Sequence, residues 1–146
     1  MQHLRRPAVA GTFYPDQSLT LSRKVKELIN AAPFSEGTDA AVPKALIVPH
    51  AGYIYSGATA ALAYARLAPA RNKIKRVVLL GPVHRVPVRG LALAGATLFS
   101  TPLGDIEVDQ EAVMALAGMP QVVVSAPAHA QEHSLEVQLP YLQSVV

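Results

Sequence analysis

Five histidines stand among the 146 residues, and four of them are placed where they can do chemistry. His50 comes two residues after the apolar run Lys44–Val48. His84 follows the run Ile74–Leu80 and the tripeptide Gly81-Pro82-Val83. His129 and His133 follow the run Gln121–Ser125. Neutral imidazoles are good ligands for Fe(II), Zn(II) and Cu(II), and a few that converge make a metal site. Glu132 and Glu136 lie close enough in sequence to supply a further ligand, a carboxylate that orients an imidazole, or a general base. A single histidine at a strand end is usually just a hydrogen-bonded loop residue, but here each of three strand-like runs is followed by one. His129 and His133 are spaced i, i+4 and share a face only if that segment is helical. Pro127 fits an extended loop around His129 equally well, so His133, at a predicted helix start, is the preferred third member. His3 lies in the N-terminal tail and is read as incidental.

These residues can meet only if the elements before them are neighbours. Lys44–Val48 and Ile74–Leu80 are short, β-branched runs of the kind buried on both faces of a sheet. The alanine-rich stretch Ala58–Leu67 between them favours helix. Strand, helix, strand in this span predicts a parallel, right-handed βαβ unit. Ligands of open parallel sheets bind beyond the carboxyl ends of the strands, which is where the histidines fall. Elsewhere, Leu21, Val25, Leu28 and Ile29 predict a helix over Leu19–Ala32, with Asp16 or Ser18 as its cap. Residues 33–43 read as a polar linker. Leu91–Ala94 and Thr97–Ser100 suggest two short strands, paired as a hairpin around Gly95. Asp109 is placed to cap a helix over Gln110–Ala117 that stops at Gly118. The last stretch, from His133 or Ser134 to Val146, is helical in pattern, with Pro140 in a first turn or at a kink. The fold class is α/β in a single domain, residues 1–146, with no internal repeat.

Tyr53 and Tyr55 lie between Gly52 and Gly57, where they either line a pocket or pack the loop. Arg85 either grips an anionic substrate or makes a surface ion pair. Tyr141 reads as core, and Ser134 beside His133 is a weak candidate nucleophile. The segment Gly81–Arg85 lacks the lysine and spacing of a phosphate loop, and no G-x-S-x-G, H-E-x-x-H or G-x-G-x-x-G is present. The chain is 51% hydrophobic and has no cysteine, which excludes disulfides, thiolate metal ligands and a cysteine nucleophile within it. The net charge of +3 comes from scattered cations, with one cluster at Arg23, Lys24 and Lys26, which argues against nucleic acid as a partner. No apolar run is long enough to span a bilayer, and the N-terminus resembles neither a secretory nor a twin-arginine signal. A cytoplasmic location is the expectation.

Taken together and in order, RRPAVAGTFYP (Arg5–Pro15), PHAGYIYSG (Pro49–Gly57), LLGPVHRVP (Leu79–Pro87), TPLGDIEVD (Thr101–Asp109) and EHSLEVQLPYL (Glu132–Leu142) resemble the Memo family, called AmmeMemoRadiSam system protein B in bacteria and archaea. The resemblance implies a mostly parallel sheet with helices on both faces, as in LigB-type class III extradiol dioxygenases. It implies iron (Fe2+) or copper held by histidines, with His50, His84 and His133 matching the family's motif histidines. It also implies radical-SAM and AMMECR-type proteins as partners. Family chains are longer, and their further part brings more strands, an S-D-x-x-H segment and a cysteine. On this comparison the chain corresponds to the N-terminal portion of the fold with a partial ligand set, and Arg85 stands where some relatives carry a second histidine. Three functions follow. The first is a dioxygenase-like, metal-dependent oxidoreductase, with metal on His50 and His84, catalytic His133 oriented by Glu132 or Glu136, and substrate against Tyr53, Tyr55 and Arg85. The second is a non-enzymatic module binding a peptide or anion, and the third an inactive truncated fragment. A small molecule or peptide is the expected ligand, with no nucleic acid or membrane partner, and a homo-oligomer is compatible with the sequence.

Overall fold

The computed structural model describes residues 3–33 and 42–146. Part of the expected 33–43 linker therefore lies outside the described residues. The first strand, β1 (Leu4–Arg5), leads through the Pro- and Gly-rich segment to helix α1 (Ser18–Asn30). Leu21 and Val25 are the fully buried stripe of α1, while Lys24 pairs with Glu27 on its exposed face. The cationic cluster is thus a solvated helix face. Neither Asp16 nor Ser18 caps this helix. Gln17 occupies the cap position, and its side chain makes no cap bond.

Helix α2 spans Tyr53–Ala65, beginning five residues earlier than alanine content predicts. Gly52 sits at its N-cap, and the Tyr53 N–H donates to the Phe13 carbonyl at 2.7 Å, which satisfies one of the amides a helix start leaves open. Burial of the Tyr53 ring drives the early start. Four of the five tyrosines, Tyr14, Tyr53, Tyr64 and Tyr141, are buried together, with ring centroids 4.9–5.7 Å apart. Each hydroxyl has a partner. Tyr14 donates to Glu136 Oε1 (2.6 Å), Tyr53 to the Val137 carbonyl (2.8 Å), Tyr64 to Gln138 Oε1 (2.9 Å) and Tyr141 to the Gly57 carbonyl (2.8 Å). Burial raises all four phenols well above the usual tyrosine range, so they remain neutral donors. Gly57 lets this layer close, since a Cβ there would come within 3.1 Å of both Leu28 Cδ1 and the Tyr141 hydroxyl.

Tyr141→Phe removes the hydroxyl and leaves the buried Gly57 carbonyl without that donor. We expect a loss of about 1–2 kcal/mol, visible as a melting midpoint lowered by several degrees. An unchanged midpoint would show that water replaces the bond.

The remaining strands are β2 (Leu91–Leu93), β3 (Leu98–Thr101), β4 (Gly104–Glu107) and β5 (Val122–Val124), with α3 (Gln110–Ala117) before β5. β1 and β3 pair in parallel, β3 and β4 antiparallel, and β2 and β5 in parallel. The chain is a mixed α/β structure with two small sheets, ordered β1-β3-β4 and β2-β5. The hairpin expected around Gly95 does not form, because β2 and β3 belong to different sheets. β3 turns back onto β4 instead, with Thr101 opposite Gly104. Asp109 caps α3 as expected, accepting from the Ala112 N–H at 2.9 Å, and Gly118 ends the helix. A short helix missed in the sequence, α4 (Ala126–Ala130), follows β5, with Ser125 as its N-cap. Its Pro127 marks a helix start rather than an extended loop. The final helix, α5 (Leu139–Val145), has Pro140 in its first turn and is preceded by a 3-10 turn over Glu136–Gln138. Tyr141 is core, as expected.

The two runs predicted as central strands differ most from expectation. Residues 44–48 and 74–80 lack helical or strand pairing, and among the described residues no backbone–backbone hydrogen bond reaches residues 44–51 or 75–83. The predicted βαβ ladder is therefore absent. One reason is visible in their surroundings. Leu46, Val48 and Ile74 pack against the tyrosine core, whereas Ile47, Val77, Val78 and Leu80 are exposed, so neither run is buried on both faces as a central strand would be.

Candidate metal centre

His50, His84 and His133 converge. Each offers one ring nitrogen, and the three nitrogens lie within 4.8 Å of one another. Ring centroids stand 5.3 Å apart for His50 and His84, 5.7 Å for His50 and His133, and 4.6 Å for His84 and His133, the last pair stacked. With metal–nitrogen bonds of about 2.0–2.1 Å, two ligands on one ion stand at most about 4.2 Å apart. The observed spread comes within about 0.6 Å of that limit, and three imidazole nitrogens are a donor set that a first-row divalent metal takes. His84 is exposed and the other two are half-buried, leaving the cluster open to solvent on the His84 side.

One carboxylate organises the centre. Glu132 accepts from the His84 backbone N–H (2.6 Å), the His133 N–H (2.8 Å) and the Ser134 N–H (2.9 Å), and its Oε1 lies 2.9 Å from His84 Nδ1. His133 Nδ1 is 3.3 Å from the same oxygen. A carboxylate facing Nδ1 holds the proton there and leaves the Nε2 lone pair free, the usual backing of a metal-ligating histidine. Burial works against the Glu132 charge, but the bonds from the His84 ring and from the Ser134, His84 and His133 amides outweigh it and hold this carboxyl at about 2. Burial also pulls His133 below the usual histidine range. Glu132 opposes that shift, while His84, His50 and Arg85 add to it.

The segments bearing the rings are fastened from the same stretch. Ser134 Oγ donates to the Pro82 carbonyl (2.7 Å) and Gln138 Nε2 to the Pro49 carbonyl (3.1 Å). Gly81 permits the first contact, because a Cβ there would stand 2.8 Å from Leu135 Cδ2 and 2.9 Å from Ser134 Oγ. Phe13 packs against the His133 ring at 4.6 Å. Ser134 is thus a clamp, and apart from their place in the motif segments nothing in the residue pattern points to the parts played by Gln138 and Phe13.

Other expected site residues lie elsewhere. Both Glu136 oxygens are taken by Arg5, Tyr14 and the Ala8 and Val9 amides, so it cannot orient His133. Of the two carboxylates considered, Glu132 does that work. Tyr53 belongs to the core, not to a pocket wall, and Tyr55 is an exposed residue of α2. Arg85 is exposed and close enough for its charge to act on His133. His129 stays apart, its Nε2 on the Ala92 carbonyl (2.8 Å) and its own carbonyl accepting from Arg5. It lies in α4 while His133 lies beyond that helix, so the i, i+4 spacing creates no shared face. A cavity of about 560 Å³ has His129 on its wall and none of the three clustered histidines.

A mixed α/β chain with three convergent histidines, two of them backed by one buried carboxylate, belongs to the class of proteins with a metal-capable histidine centre. Its family is given by comparison. The family model described as Memo-like protein matches residues 5–146, and the chain belongs to the Memo family. It is 41% identical over 140 residues to a MEMO1 family protein of Aquifex aeolicus, covering 96% of this chain and 49% of that protein. It is 42% identical over 148 residues to one of Ignicoccus hospitalis (96% and 51%), and 39% identical over 146 residues to one of Metallosphaera sedula (95% and 51%). The chain thus spans about half the length of these curated relatives. Among the described residues, no helix is long and apolar enough to cross a membrane.

Proposed function

We propose that the His50–His84–His133 cluster binds iron or copper, and that the chain carries the metal-binding part of a dioxygenase-like oxidoreductase. The observation that supports this is the convergence of three imidazole nitrogens within 4.8 Å, two of their rings backed by Glu132. Imidazole donors suit both metals, and either ion would supply redox chemistry with open coordination positions when bound. The chain's own residues do the rest. Glu132 keeps the His84 Nδ1 proton in place and aims the opposite nitrogen at the centre. The lowered proton affinity of His133 keeps its lone pair available near neutral pH. Its stacking on His84 favours His133 as a third ligand over a separate base. This reading takes residues 44–48 and 74–80 as members of a parallel, LigB-like sheet with their carboxyl ends at the centre. The exposed Arg85 then stands where an anionic group of a substrate can be met.

Equilibrium dialysis of metal-free protein against Fe(II) under anaerobic conditions, and against Cu(II), tests the proposal. One ion per chain is expected, with affinity falling at least about tenfold on changing any one of the three histidines to alanine. Binding should weaken as pH falls through the histidine range, because protons compete for the same lone pairs. Retention of neither metal, or retention unaffected by all three changes, would leave the peptide- or anion-binding reading in its place.

A further inference from the structure

The three rings of the candidate centre are not held alike. Glu132 faces the Nδ1 atoms of His84 and His133 and also accepts from their backbone N–H groups. No carboxylate backs His50. Among the described residues, neither its ring nor its backbone makes a hydrogen bond. What fixes His50 are the carbonyls on either side of it. Pro49 accepts from Gln138 Nε2 at 3.1 Å, and Ala51 accepts from Ser56 Oγ at 3.2 Å. The Ser56 bond is exposed, and water competes for both of its partners, so the Gln138 bond supplies more of the restraint.

Gln138 is suited to that task. It is 5% exposed and ends the 3-10 turn before α5. Its amide has one workable orientation. The Pro49 carbonyl and the Ser134 carbonyl, at 3.1 and 3.5 Å, are acceptors only, so the NH2 end must face them. The Oε1 end then accepts from the Tyr64 hydroxyl at 2.9 Å. Tyr64 is buried, and its ring stacks on Tyr141 with centroids 4.9 Å apart. A fixed phenol on α2 thus orients the amide, and the amide holds the residue before His50.

We infer that Gln138, oriented by Tyr64, is the positioning residue for His50: it sets where this imidazole stands relative to His84 and His133 and so completes the three-nitrogen donor set. For its binding measurements this role rests on the metal centre proposed above. Ring contacts in metal-free protein test it separately.

Gln138→Met keeps the length of the side chain and removes both ends of the amide. Cu(II) affinity should fall at least about tenfold, the usual cost of losing a group that orients a ligand. Gln138→Met combined with His50→Ala should bind no more than about twofold weaker than His50→Ala alone, because Gln138 acts only through that ring. Combined with His84→Ala, the same change should keep its full cost. Pulsed EPR of the Cu(II) protein, which counts bound imidazoles, should find three in the unaltered chain and one fewer in Gln138→Met. Tyr141→Phe loosens the same core without touching Gln138, and should alter neither affinity nor imidazole count.

In metal-free protein the His50 ring stands 5.3 Å from His84 and 5.7 Å from His133, centroid to centroid. Ring-proton nuclear Overhauser effects of His50 with both should appear in the unaltered chain and in Tyr141→Phe. In Gln138→Met they should vanish while the His84–His133 contact persists. If Gln138→Met does not fold, Tyr64→Phe takes its place. It deprives the amide of its orienting donor, with weaker His50 contacts and an affinity loss of about fivefold expected. Costs that simply add in the Gln138→Met, His50→Ala double variant overturn the assignment. So do His50 ring contacts that persist unchanged in folded Gln138→Met, or in Tyr64→Phe where that variant stands in. A chain that takes up no copper in any form removes the metal reading alone, and the ring contacts still decide the part played by Gln138.

Discussion

Glu136→Gln should cost this protein about 3–5 kcal/mol of folding stability, the range for breaking a buried ion pair by removing one partner. Glu136 is 1% exposed and its partner Arg5 8%. The carboxylate receives Arg5 Nη1, the Ala8 N–H (2.8 Å), the Val9 N–H (3.0 Å) and the Tyr14 hydroxyl (2.6 Å). An amide of the same shape turns two of those acceptor sites into donors facing donors, and leaves the guanidinium charge buried. Arg5 keeps only the carbonyls of His129 and Glu132, which carry no full charge. Domains of this size are stable by about 5–15 kcal/mol, so the variant should unfold at far lower urea or fail to accumulate. Urea midpoints for Arg5→Met, Glu136→Gln and the double variant measure the coupling directly. The double variant should be more stable than the sum of the two single losses predicts, by about 2 kcal/mol or more. A loss under 1 kcal/mol for Glu136→Gln would mean that water reaches the pair.

The second large effect belongs to Glu132. Glu132→Ala should lower metal affinity about a hundredfold, the upper end of what loss of a ligand's hydrogen-bonding partner costs. The upper end is appropriate because one side chain faces two imidazoles and holds three backbone amides. The same change removes a pH-dependent stabilisation. The carboxyl's ordinary value of 4.5 falls to about 2 in the folded chain, so folding favours the ionised form. The unfolded chain takes up its proton first as pH falls. The stabilisation is therefore fully present above pH 4.5 and is lost progressively between there and pH 2. A shift of this size corresponds to about 3 kcal/mol. Denaturation curves at pH 7 and pH 3 should therefore differ less in Glu132→Ala than in the unaltered chain. Equal pH dependence in the two proteins would remove Glu132 from this role. Binding measurements by dialysis at neutral pH keep the metal effect separate from the acid effect.

The three clustered histidines were legible in the sequence because each follows a strand-like run, and carboxyl ends of neighbouring runs converge whatever the details of pairing. The choice of His133 over His129 agrees with the cluster found. Its reason was only partly right, since His133 lies in a turn before the 3-10 segment and not at a helix start. Helices α1 and α3 were legible from spacing and, for α3, from Asp109. The start of α2 was not, because it depends on the Phe13 carbonyl and on burial of Tyr53, both supplied by distant segments. The partition of roles between Glu132 and Glu136 was equally hidden. Both carboxylates lie on the same short stretch, and only the position of Arg5, about 130 residues earlier, decides which one is consumed by structure. The ladder expected through residues 44–48 and 74–80 failed because apolar content reports that a run is suited to burial, not that its partners are at hand.

Seven hydrogen bonds of the N-terminal segment reach forward to residues 129–136. Arg5, Ala8, Val9 and Tyr14 find their partners at His129, Glu132 and Glu136, across 122–131 residues. Residues 5–14 can therefore complete these bonds only after residues 129–136 have been made. Their arginine and open amides must wait in water until residue 136 has emerged, and domains whose contacts are this distant along the chain fold slowly.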